Sequence, residues 1–551
     1  MVKTHFRVLA ASAVMFALAN VASAQVQGPS TSQTPYVVPV APGVITKSII
    51  SNGNGTTTPN EVYDKIGGGS YRLVGLPDGL GAFDNGDGTF TLLASHEAGA
   101  TAGITRDHGS IGSFVSKWVI NKSDLSVVGG ADLIQNVRLW NTATDSFVDQ
   151  TSAFDRFCSS DLAEQSAYYN ASTGMGTQIR LYTTGEEAST AFGSRYGRGF
   201  AVEVDGSNAG RATELAELGD IAFENIVASP FAQDKTVVMG LDDASRQFNS
   251  EISGGFVGNN EGPSQLYTYV GTKTNTGDAV QRAGLTNGTL YGIKVADRIN
   301  EDQIVNGDAF SLFNMNSAID VSEDVNGVAL ENASIANQIT EFRRVEDGVW
   351  DPNNANVFYF VTTDRLTPAG GRSQIWQLTY NDITDPTLGG TISALTDGTE
   401  GYEMFDNMTA VDVGNGMTRL LLQEDLGNTA RSGKTWIYDV AGDDFLELAK
   451  FDVARFGDGN PVSANLGTGI LATAPFNRDE EASGIIPADF LGKGWFLASA
   501  QAHYSITGEL VQGGQLFAMY VPQAVPEPSS IALLGLGAIG LVIAARRNRK
   551  S

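Results

Sequence analysis

Acidic or polar residues stand at the ends of short apolar segments at six places along this chain of 551 residues. Carboxylates in such positions can bind hard cations or transfer protons. The segments are TLLASHE (91–97), RLYTTGEE (180–187), TVVMGLDD (236–243), VFYFVTTD (357–364), RLLLQED (419–425) and WFLASAQAH (495–503). A second signature lies upstream of each segment, and in most units an acid there precedes a small or amide residue. The signatures are Pro77-Asp78-Gly79, Cys158-Ser159-Ser160-Asp161, Glu224-Asn225-Ile226, Glu346-Asp347-Gly348, Asp406-Asn407-Met408 and Glu481-Ala482-Ser483-Gly484. Each unit therefore supplies two polar groups.

The cysteine and histidine counts limit the kind of metal site that the chain could form. Cys158 is the single cysteine, so an intramolecular disulfide is excluded. Its thiol could be a buried structural group, form an intermolecular bridge or bind a metal. Four histidines in the whole sequence argue against a zinc site built mainly from imidazoles. The abundant carboxylates favour oxygen-preferring ions such as Ca²⁺.

A strand with an aromatic centre follows each of the six acidic ends. These partner strands are KWVI (117–120), FAVEV (200–204), QLYTYV (265–270), QIWQLTY (374–380), TWIYDV (435–440) and QLFAMYV (515–521). A repeated unit that cannot bury its own apolar face must stack on its neighbours. Six such units predict an all-β, six-bladed β-propeller with long loop insertions and few short helices. We expect the insertions at 251–262, 271–290 and 296–340, and a short helix at 331–342.

In a propeller, equivalent positions of different blades meet around the central axis, although they lie far apart in sequence. The two polar groups of each unit would therefore converge on one mouth of the ring. The converging residues are Glu97, Cys158, Glu186, Glu187, Glu224, Asp242, Asp243, Asp364, Asn407, Glu424, Asp425, Glu481 and His503. So many carboxylates repel one another unless they take up protons or cations. We interpret the set as a metal site; alternatively, the acids cap strand ends and accept hydrogen bonds from backbone amides.

The overall charge excludes one class of partner. Aspartate and glutamate number 62 against 35 lysines and arginines, which gives a formal net charge of −27. Such a surface repels nucleic acid and anionic lipid. We therefore expect no nucleic-acid partner.

Both ends of the chain carry targeting signals. Lys3 and Arg7, an apolar stretch and Ala22-Ser23-Ala24 have the order of a secretory signal peptide at residues 1–24. At the other end, Pro526-Glu527-Pro528 leads into an apolar run at 531–545 and four basic residues. This run is shorter than the roughly 20 residues that usually span a bilayer. The rest divides into a lead-in segment (25–70), a propeller domain (71–521) and a tail (522–551).

The tail resembles the PEP-CTERM sorting signal of exopolysaccharide-producing Gram-negative bacteria. That resemblance implies export, recognition by sorting machinery and removal at the membrane. The protein would then be periplasmic, at the cell surface or extracellular, with a transient C-terminal membrane anchor. Exopolysaccharide is a possible partner on this reading. An ordinary short C-terminal anchor is the alternative, and it also places the protein outside the cytoplasm.

Residues 70–520 resemble the PhoX-type alkaline phosphatases. The resemblance is carried by blocks in the same order along the chain: Pro77-Asp78-Gly79, His96-Glu97, Cys158, Glu186-Glu187, Phe200–Val204, Glu224, Asp242-Asp243, Gly288–Val295, Asp406-Asn407, Glu424-Asp425 and Glu481–Gly484. The chain departs from the family at two places. It has Gly185-Glu186-Glu187 where the family usually has Cys-Glu-Glu, and Ser95-His96-Glu97 where the family has Asn-His-Glu.

The resemblance implies a phosphatase acting on phosphate monoesters outside the cytoplasm, with Ca²⁺ and iron at the channel mouth and a cysteine among the iron ligands. The ligands transferred by position are Glu97, Cys158, Glu186, Glu187, Glu224, Asp242, Asp243, Glu424 and Glu481. An arginine would bind the transferring phosphoryl group bidentately. Arg343, Arg344 and Arg478 lie near strand ends, as do the two that we take as catalytic candidates, Arg365 and Arg431.

Two other functions fit the same sequence. The propeller could be a non-catalytic protein that Ca²⁺ stabilises and that binds matrix polysaccharide or protein at the cell surface. It could also be a phytase-like or lactonase-like hydrolase that uses calcium only. A serine hydrolase is unsupported, because the chain has no Gly-x-Ser-x-Gly motif.

Overall fold

Six blades, built mainly of antiparallel strands, surround a central axis in the computed structural model. The structure describes residues 23–53, 61–188, 197–244, 264–363, 373–426, 431–458 and 469–525. The innermost strands of the six sheets contact one another in a closed ring, in which the last sheet contacts the first. The prediction of an all-β six-bladed propeller is therefore confirmed.

Each blade runs outward from the axis. Blade 1 contains Pro77–Asp84, Thr89–His96, Phe114–Asn121 and Val127–Asp132. Blade 2 contains Phe157–Asp161, Leu181–Glu186, Gly197–Glu203 and Arg211–Glu214, followed by an outer hairpin of Asn136–Asn141 and Ser146–Asp149. Blade 3 contains Phe223–Ala228, Lys235–Asp242, Ser264–Thr272, Thr289–Val295 and Asp308–Asn314. The outer hairpin of blade 2 comes from the chain between blades 1 and 2, so it extends the sheet by parallel pairing with Arg211–Glu214.

The remaining blades follow the same plan. Blade 4 contains Val345–Trp350, Val357–Thr362, Gln374–Tyr380 and Gly390–Ala394. Blade 5 contains Phe405–Asp412, Thr418–Glu424, Lys434–Asp439, Asp444–Phe451 and Val37–Pro39. Blade 6 contains Glu480–Pro487, Trp495–Ser505, Gln512–Tyr520, Ile45–Ser51 and Ala24–Val26. Blades 3 and 4 are also joined at their outer edges, where Asp308–Asn314 pairs with Gly390–Ala394.

The remaining elements are short. Two-residue strands lie at Tyr63–Asp64, Ser70–Tyr71, Tyr169–Asn170, Met175–Gly176, Asp220–Ile221 and Glu341–Phe342. The α-helices in the described ranges are Gln165–Tyr168, Ala279–Arg282, Val328–Ala336 and Val453–Phe456. The 3-10 helices are Ala216–Leu218, Glu301–Gln303, Met315–Ser317, Val321–Glu323, Pro386–Leu388, Asp489–Leu491, Gly508–Leu510 and Pro522–Ala524. The helix expected at 331–342 therefore begins and ends earlier, and the chain turns at Gln338, whose φ is +55°.

Six hydrophobic clusters fill the six interfaces between neighbouring blades. Between blades 1 and 6, for example, Leu92 and Trp118 pack with Leu497 and Leu516, all of them buried. The other five interfaces hold equivalent clusters. Apolar residues on both faces of each sheet are thus buried against neighbours, as the stacking argument predicted.

The N-terminal segment closes the ring. Ile45–Ser51 pairs antiparallel with Gln512–Tyr520 and so forms an outer strand of blade 6 from the opposite end of the chain. Val37–Pro39 does the same for blade 5, next to Asp444–Phe451. Only the strand near 36–40 was expected from the sequence. Because these pairs join residues more than 400 positions apart, the first strands hold the last blades in place.

The two targeting signals lie almost entirely outside the described residues, which begin at Ser23 and end at Val525. Within the described ranges, no helix is long and apolar enough to cross a membrane. The apolar run expected to anchor the tail, residues 531–545, is not among them. The insertion expected at 251–262 also lies outside the described part.

Candidate metal centre

Seven buried side chains form what we call the acidic cluster, at one mouth of the axial channel. It consists of three groups in which the ligand atoms lie within 4.8 Å of one another. The groups are Asp78 with Glu97 and Cys158, Cys158 with Glu187 and Glu224, and Glu224 with Glu346 and Asp406. Cys158 and Glu224 each belong to two groups, so the three form a continuous chain. The residues come from blades 1 to 5.

The backbone explains why five of the six signatures place an acid or a thiol at equivalent positions around the axis. In every blade, the innermost strand carries a β-bulge at its start, as between Phe157 and Ser160 or between Phe223 and Asn225. A bulge bends the strand and redirects its side chains, and bulges are enriched next to functional sites. In blades 1 to 5, the second residue of the innermost strand lies in the bulge, and this residue is the acid or the cysteine. In blade 6, Glu481 lies one place earlier relative to the bulge and pairs with Gln501.

The second strands add the remaining groups. Glu97 and Glu187 each follow the last residue of a second strand and donate their backbone N–H to the carbonyl before the innermost strand of the same blade. Asp243 and Asp425 occupy the equivalent position in blades 3 and 5. The two polar contributions per unit that the sequence suggested therefore come from the start of the first strand and from the end of the second.

The described residues supply too few hydrogen-bond donors and positive charges to stabilise all the carboxylates of the acidic cluster in their ionised form. Burial raises the pKa of Asp78, Glu224 and Asp406 well above the usual range, and neighbouring carboxylates raise it further. Burial, partly offset by an arginine, raises the pKa of Glu187 to about 8. One carboxylate oxygen each of Asp78, Glu224 and Asp406 is buried without a hydrogen-bond partner among the described residues. Unsatisfied buried oxygens of this kind fit a bound cation, which would reverse these pKa shifts.

Cys158 sits in the middle of this chain of groups. Its Sγ lies 3.5 Å from Oδ2 of Asp78, and burial followed by nearby carboxylates raises the pKa of the thiol well above its ordinary value. In such surroundings a thiolate forms only if a cation binds it. Carboxylates fit Ca²⁺, whereas a thiolate among them also fits a transition metal such as iron.

Two arginines flank the cluster and bridge its acids. The guanidinium of Arg156 contacts Glu97 at 2.6 Å and also pairs with Glu187. The guanidinium of Arg344 binds Asp243 through two hydrogen bonds of 2.9 and 2.7 Å and lies 2.9 Å from Glu346. Arg344 was among the arginines noted near strand ends in the sequence, whereas Arg156 was missed because no acidic strand end marks it.

Glu481 and His503 extend the site on the blade 6 side. His503 Nε2 lies 3.4 Å from Glu481, and Nε2 of Gln501 lies 3.0 Å from carboxylate oxygens of Asp78, Glu97 and Glu481. Burial opposes the charge on His503, but the bond to Glu481 outweighs it and raises the pKa of His503 to about 9. Burial likewise opposes ionisation of Glu481, and His503 lowers the pKa of that carboxyl below its usual value. His503 therefore balances the negative charge of Glu481 at the edge of the cluster.

A polar floor lies below the acidic cluster. Asn225 donates to Asp347 at 2.6 Å and to Ser159 at 3.2 Å, and Ser159 donates to Asn407 at 3.2 Å across the axis. These residues also line a cavity of about 240 Å³ that receives side chains from the innermost strands. Asn407 was predicted at the mouth, and the structure places it in this floor.

Five of the nine predicted ligands are not part of the three groups. Asp243 pairs with Arg344 and Glu481 lies beside His503, next to the cluster, and the other three bind elsewhere. Glu186 faces Arg198 at 2.9 Å, Asp242 accepts from the Ala222 amide at 3.0 Å, and Glu424 pairs with Arg431 at 2.6 Å. The reason is the two-residue period of a strand, since adjacent side chains point to opposite faces. The same holds for three pairs of acids: Glu186-Glu187, Asp242-Asp243 and Glu424-Asp425. In each pair, the second acid reaches the mouth and the first binds partners elsewhere in the fold.

The other predicted site residues lie outside the acidic cluster or outside the described part of the chain. Arg431 is partly buried beside Glu424 and lies 3.6 Å from Glu403, away from the three groups. Asp364 and Arg365 lie outside the described residues. Asp78, Glu346 and Asp406 belong to the cluster but were left out of the predicted ligands, although their signatures had been recognised.

Comparisons with known proteins agree with both resemblances. Residues 524–550 match the PEP-CTERM protein-sorting motif. The chain is therefore an exported protein with a C-terminal sorting tail. No curated protein matches the chain. Among solved structures, Pseudomonas fluorescens PhoX in complex with vanadate, a transition-state analogue, superposes with a TM-score of 0.58, at 12% identity, over 91% of this chain and 98% of PhoX.

Similarity at this level of identity establishes the fold that the two proteins share. A sialidase from Trypanosoma rangeli in complex with sialic acid also matches, with a TM-score of 0.33, 10% identity, and coverage of 88% of this chain and 59% of the sialidase. The predicted resemblance to PhoX is thus confirmed as a likeness of fold. The chemistry of the acidic cluster must be argued from its own residues.

Proposed function

We propose that this protein is an exported, metal-dependent phosphatase-like propeller that hydrolyses phosphate monoesters at the mouth of its axial channel. The observation that carries the proposal is the chain of three ligand groups joined through Cys158 and Glu224, with buried oxygens that have no hydrogen-bond partner in the described part of the chain. The PhoX structure of the same fold was solved with vanadate, which supports phosphate chemistry at such a mouth. The proposed metals are Ca²⁺ and, with the thiol, iron.

The chain's own residues would divide the work. Asp78, Glu97, Glu187, Glu224, Glu346, Asp406 and Cys158 would hold the ions, with Glu481 beside them. Bound metal ions supply charge that stabilises a phosphoryl group and lowers the pKa of a water nucleophile. Arg156 and Arg344 sit beside the ligands, where each spans two carboxylates. If metal ions took over those carboxylates, each guanidinium could bind two oxygens of a phosphoryl group. Glu186, Asp242, Asp243 and Glu424 would orient the strands, and Arg365 stays a predicted phosphate ligand.

The test starts from metal content and hydrolysis together. The mature protein is purified with its native metals, calcium and iron are quantified, and p-nitrophenyl phosphate hydrolysis is measured with and without chelator. We expect both metals and chelator-sensitive hydrolysis. Glu224→Gln, which changes a residue shared by two groups, should lower metal content and activity together. Glu447→Gln, which changes an outer-strand acid paired with Lys434, should leave both unchanged.

The outcomes distinguish the alternative functions. Calcium without hydrolysis would refute the phosphatase proposal and leave a calcium-stabilised propeller that binds matrix polysaccharide or protein at the cell surface. Hydrolysis with calcium and no iron would instead indicate a phytase-like hydrolase. Cys158→Ala separates these cases further, because unchanged activity and metal content would assign the thiol a structural role.

A further inference from the structure

A second cavity lies at the outer edge of the propeller, far along the sheets from the axial cluster. Its volume is about 400 Å³, within the roughly 300–1,000 Å³ typical of small-molecule sites. One wall is the outer hairpin of blade 2, with Trp140 and Phe147. The other wall comes from the two blade 3 insertions, with Gln281, Thr286 and Ser322. These insertions have no part in the acidic cluster, so their conformation calls for another explanation.

The aromatic wall is built and oriented. Trp140 and Phe147 face each other across the hairpin, with ring centroids 5.0 Å apart at an angle of 71°. The backbone N–H of Trp140 donates to Glu214 at 2.8 Å, which fixes the hairpin against blade 2. The indole Nε1 of Trp140 is buried and has no hydrogen-bond partner among the described residues. Because this nitrogen is shielded while the residue as a whole is only half-buried, the ring presents carbon surface to the cavity.

The charges around the cavity favour a neutral ligand. Arg138 lies over the Phe147 ring, 4.8 Å from its centroid, and is ion-paired with Asp278. Its cationic group therefore disfavours a cationic ligand on that ring, and its pairing leaves little charge for an anion. The exposed Asp145 lines the cavity too, where its negative charge offsets that of Arg138. Glu217 lines the same cavity, and burial together with nearby Asp320 and Asp145 raises the pKa of Glu217 to about 7. A carboxyl near its pKa can donate and accept hydrogen bonds with a neutral partner.

We propose that this cavity binds a short neutral saccharide, which would stack on Trp140 and hydrogen-bond to Glu217 and to the amide and hydroxyl groups of Gln281, Thr286 and Ser322. Alternating donors and acceptors beside an aromatic face match a ligand that is rich in hydroxyl groups and has apolar C–H faces. This inference does not depend on the proposed phosphatase activity. It assigns a role to the insertions in blade 3.

The experiment uses the mature protein with its native metals. Cellotriose, maltotriose and chitotriose are tested as probes by saturation-transfer difference NMR, and the dissociation constant of any that binds is measured by calorimetry. Trp140→Ala should weaken binding at least about tenfold, and Glu217→Gln about threefold or more. Trp140→Phe keeps an aromatic ring but offers a smaller stacking surface, so it should have an intermediate effect. Trp495→Ala in blade 6 is the matched tryptophan control and should bind normally.

Two further measurements keep the result decisive. Trp140→Ala should retain its metal content and p-nitrophenyl phosphate hydrolysis, which separates this site from the acidic cluster. Glu217→Gln and Trp140→Phe guard against a variant that merely fails to fold. The proposal is overturned if none of the three probes binds, if binding is the same in the Trp140 and Glu217 variants, or if tetramethylammonium binds in the cavity and the saccharides do not.

Discussion

Replacing Arg344 with alanine should destabilise the propeller by about 3–5 kcal/mol, the usual cost of leaving buried charges without a partner. Its guanidinium makes two hydrogen bonds to Asp243 and one close contact with Glu346. Those two carboxylates are 2% and 3% exposed, whereas the arginine side chain is 22% exposed. Because water reaches one side of the guanidinium, we expect a value near the lower end of this range.

The backbone at Arg344 gives a second, independent magnitude. Its φ is +59°, in the left-handed region that costs a non-glycine residue roughly 1–2 kcal/mol. Arg344→Gly removes the same guanidinium but relieves this conformation. We therefore expect the glycine variant to lose about 1 kcal/mol less stability than the alanine variant, part of which is offset by the greater freedom of the unfolded chain.

The assay is urea unfolding at neutral pH, followed by tryptophan fluorescence, on protein with its native metals. Lys493→Ala is the control, because its ion pair with Asp489 is 68% and 54% exposed and should contribute less than about 1 kcal/mol. If Arg344→Ala unfolds at the same urea concentration as Lys493→Ala, the two buried carboxylates do not depend on Arg344. The electrostatic description of the site would then be wrong.

Three other predictions follow from the same structure. Adding chelator should lower the thermal midpoint, since an ion present at 100 times its dissociation constant contributes about 2.7 kcal/mol; Glu224→Gln should shrink that shift, and an equal shift in both proteins would contradict the cluster. Burial raises the pKa of Asp161 to about 7, so stability should fall as pH rises from about 4 to 7, and by up to about 4 kcal/mol; Asp161→Asn should flatten this profile in urea unfolding, and an unchanged slope would count against it. Removing residues 23–51 should prevent folding of a closed monomer, because Ile45–Ser51 is an outer strand of blade 6; a truncated chain with native far-UV circular dichroism and melting temperature would refute this role.

The six-bladed ring could be predicted from the sequence because its repeat is visible as a recurring pattern of apolar and polar residues. Each unit places an apolar strand between an acidic end and an aromatic partner, and that pattern survives large differences in loop length. The closure by Ile45–Ser51 was not predictable, since pairing across more than 400 residues leaves no local signal. Blade 3 illustrates the same limit, because its outermost strand Asp308–Asn314 lies inside a stretch that read as a loop insertion.

The site was predictable only as far as the strand period allows. The sequence identified acidic pairs such as Glu186-Glu187. Which acid of a pair points to the channel depends on the strand register, and the register depends on a β-bulge that the residue types do not predict. Arg156 shows a further limit. It lies two residues before Cys158, outside any acidic motif, yet it bridges Glu97 and Glu187 across two blades.

Four blades share one backbone feature, a residue with positive φ directly before the innermost strand, although the side chain at this position differs. Leu76, Arg156, Arg344 and Met404 each stand directly before an innermost strand with φ between +46° and +59°. Each also accepts, at its carbonyl, the N–H of the residue that follows the second strand. Conformations of this kind persist only where the surrounding structure requires them. Since two of the four are arginines that bind the cluster's acids and two are apolar, this feature fixes where a side chain enters the mouth and leaves its chemistry free to vary. A chain can therefore keep the PhoX fold at 12% identity while the side chains at the mouth of its channel differ at a few positions.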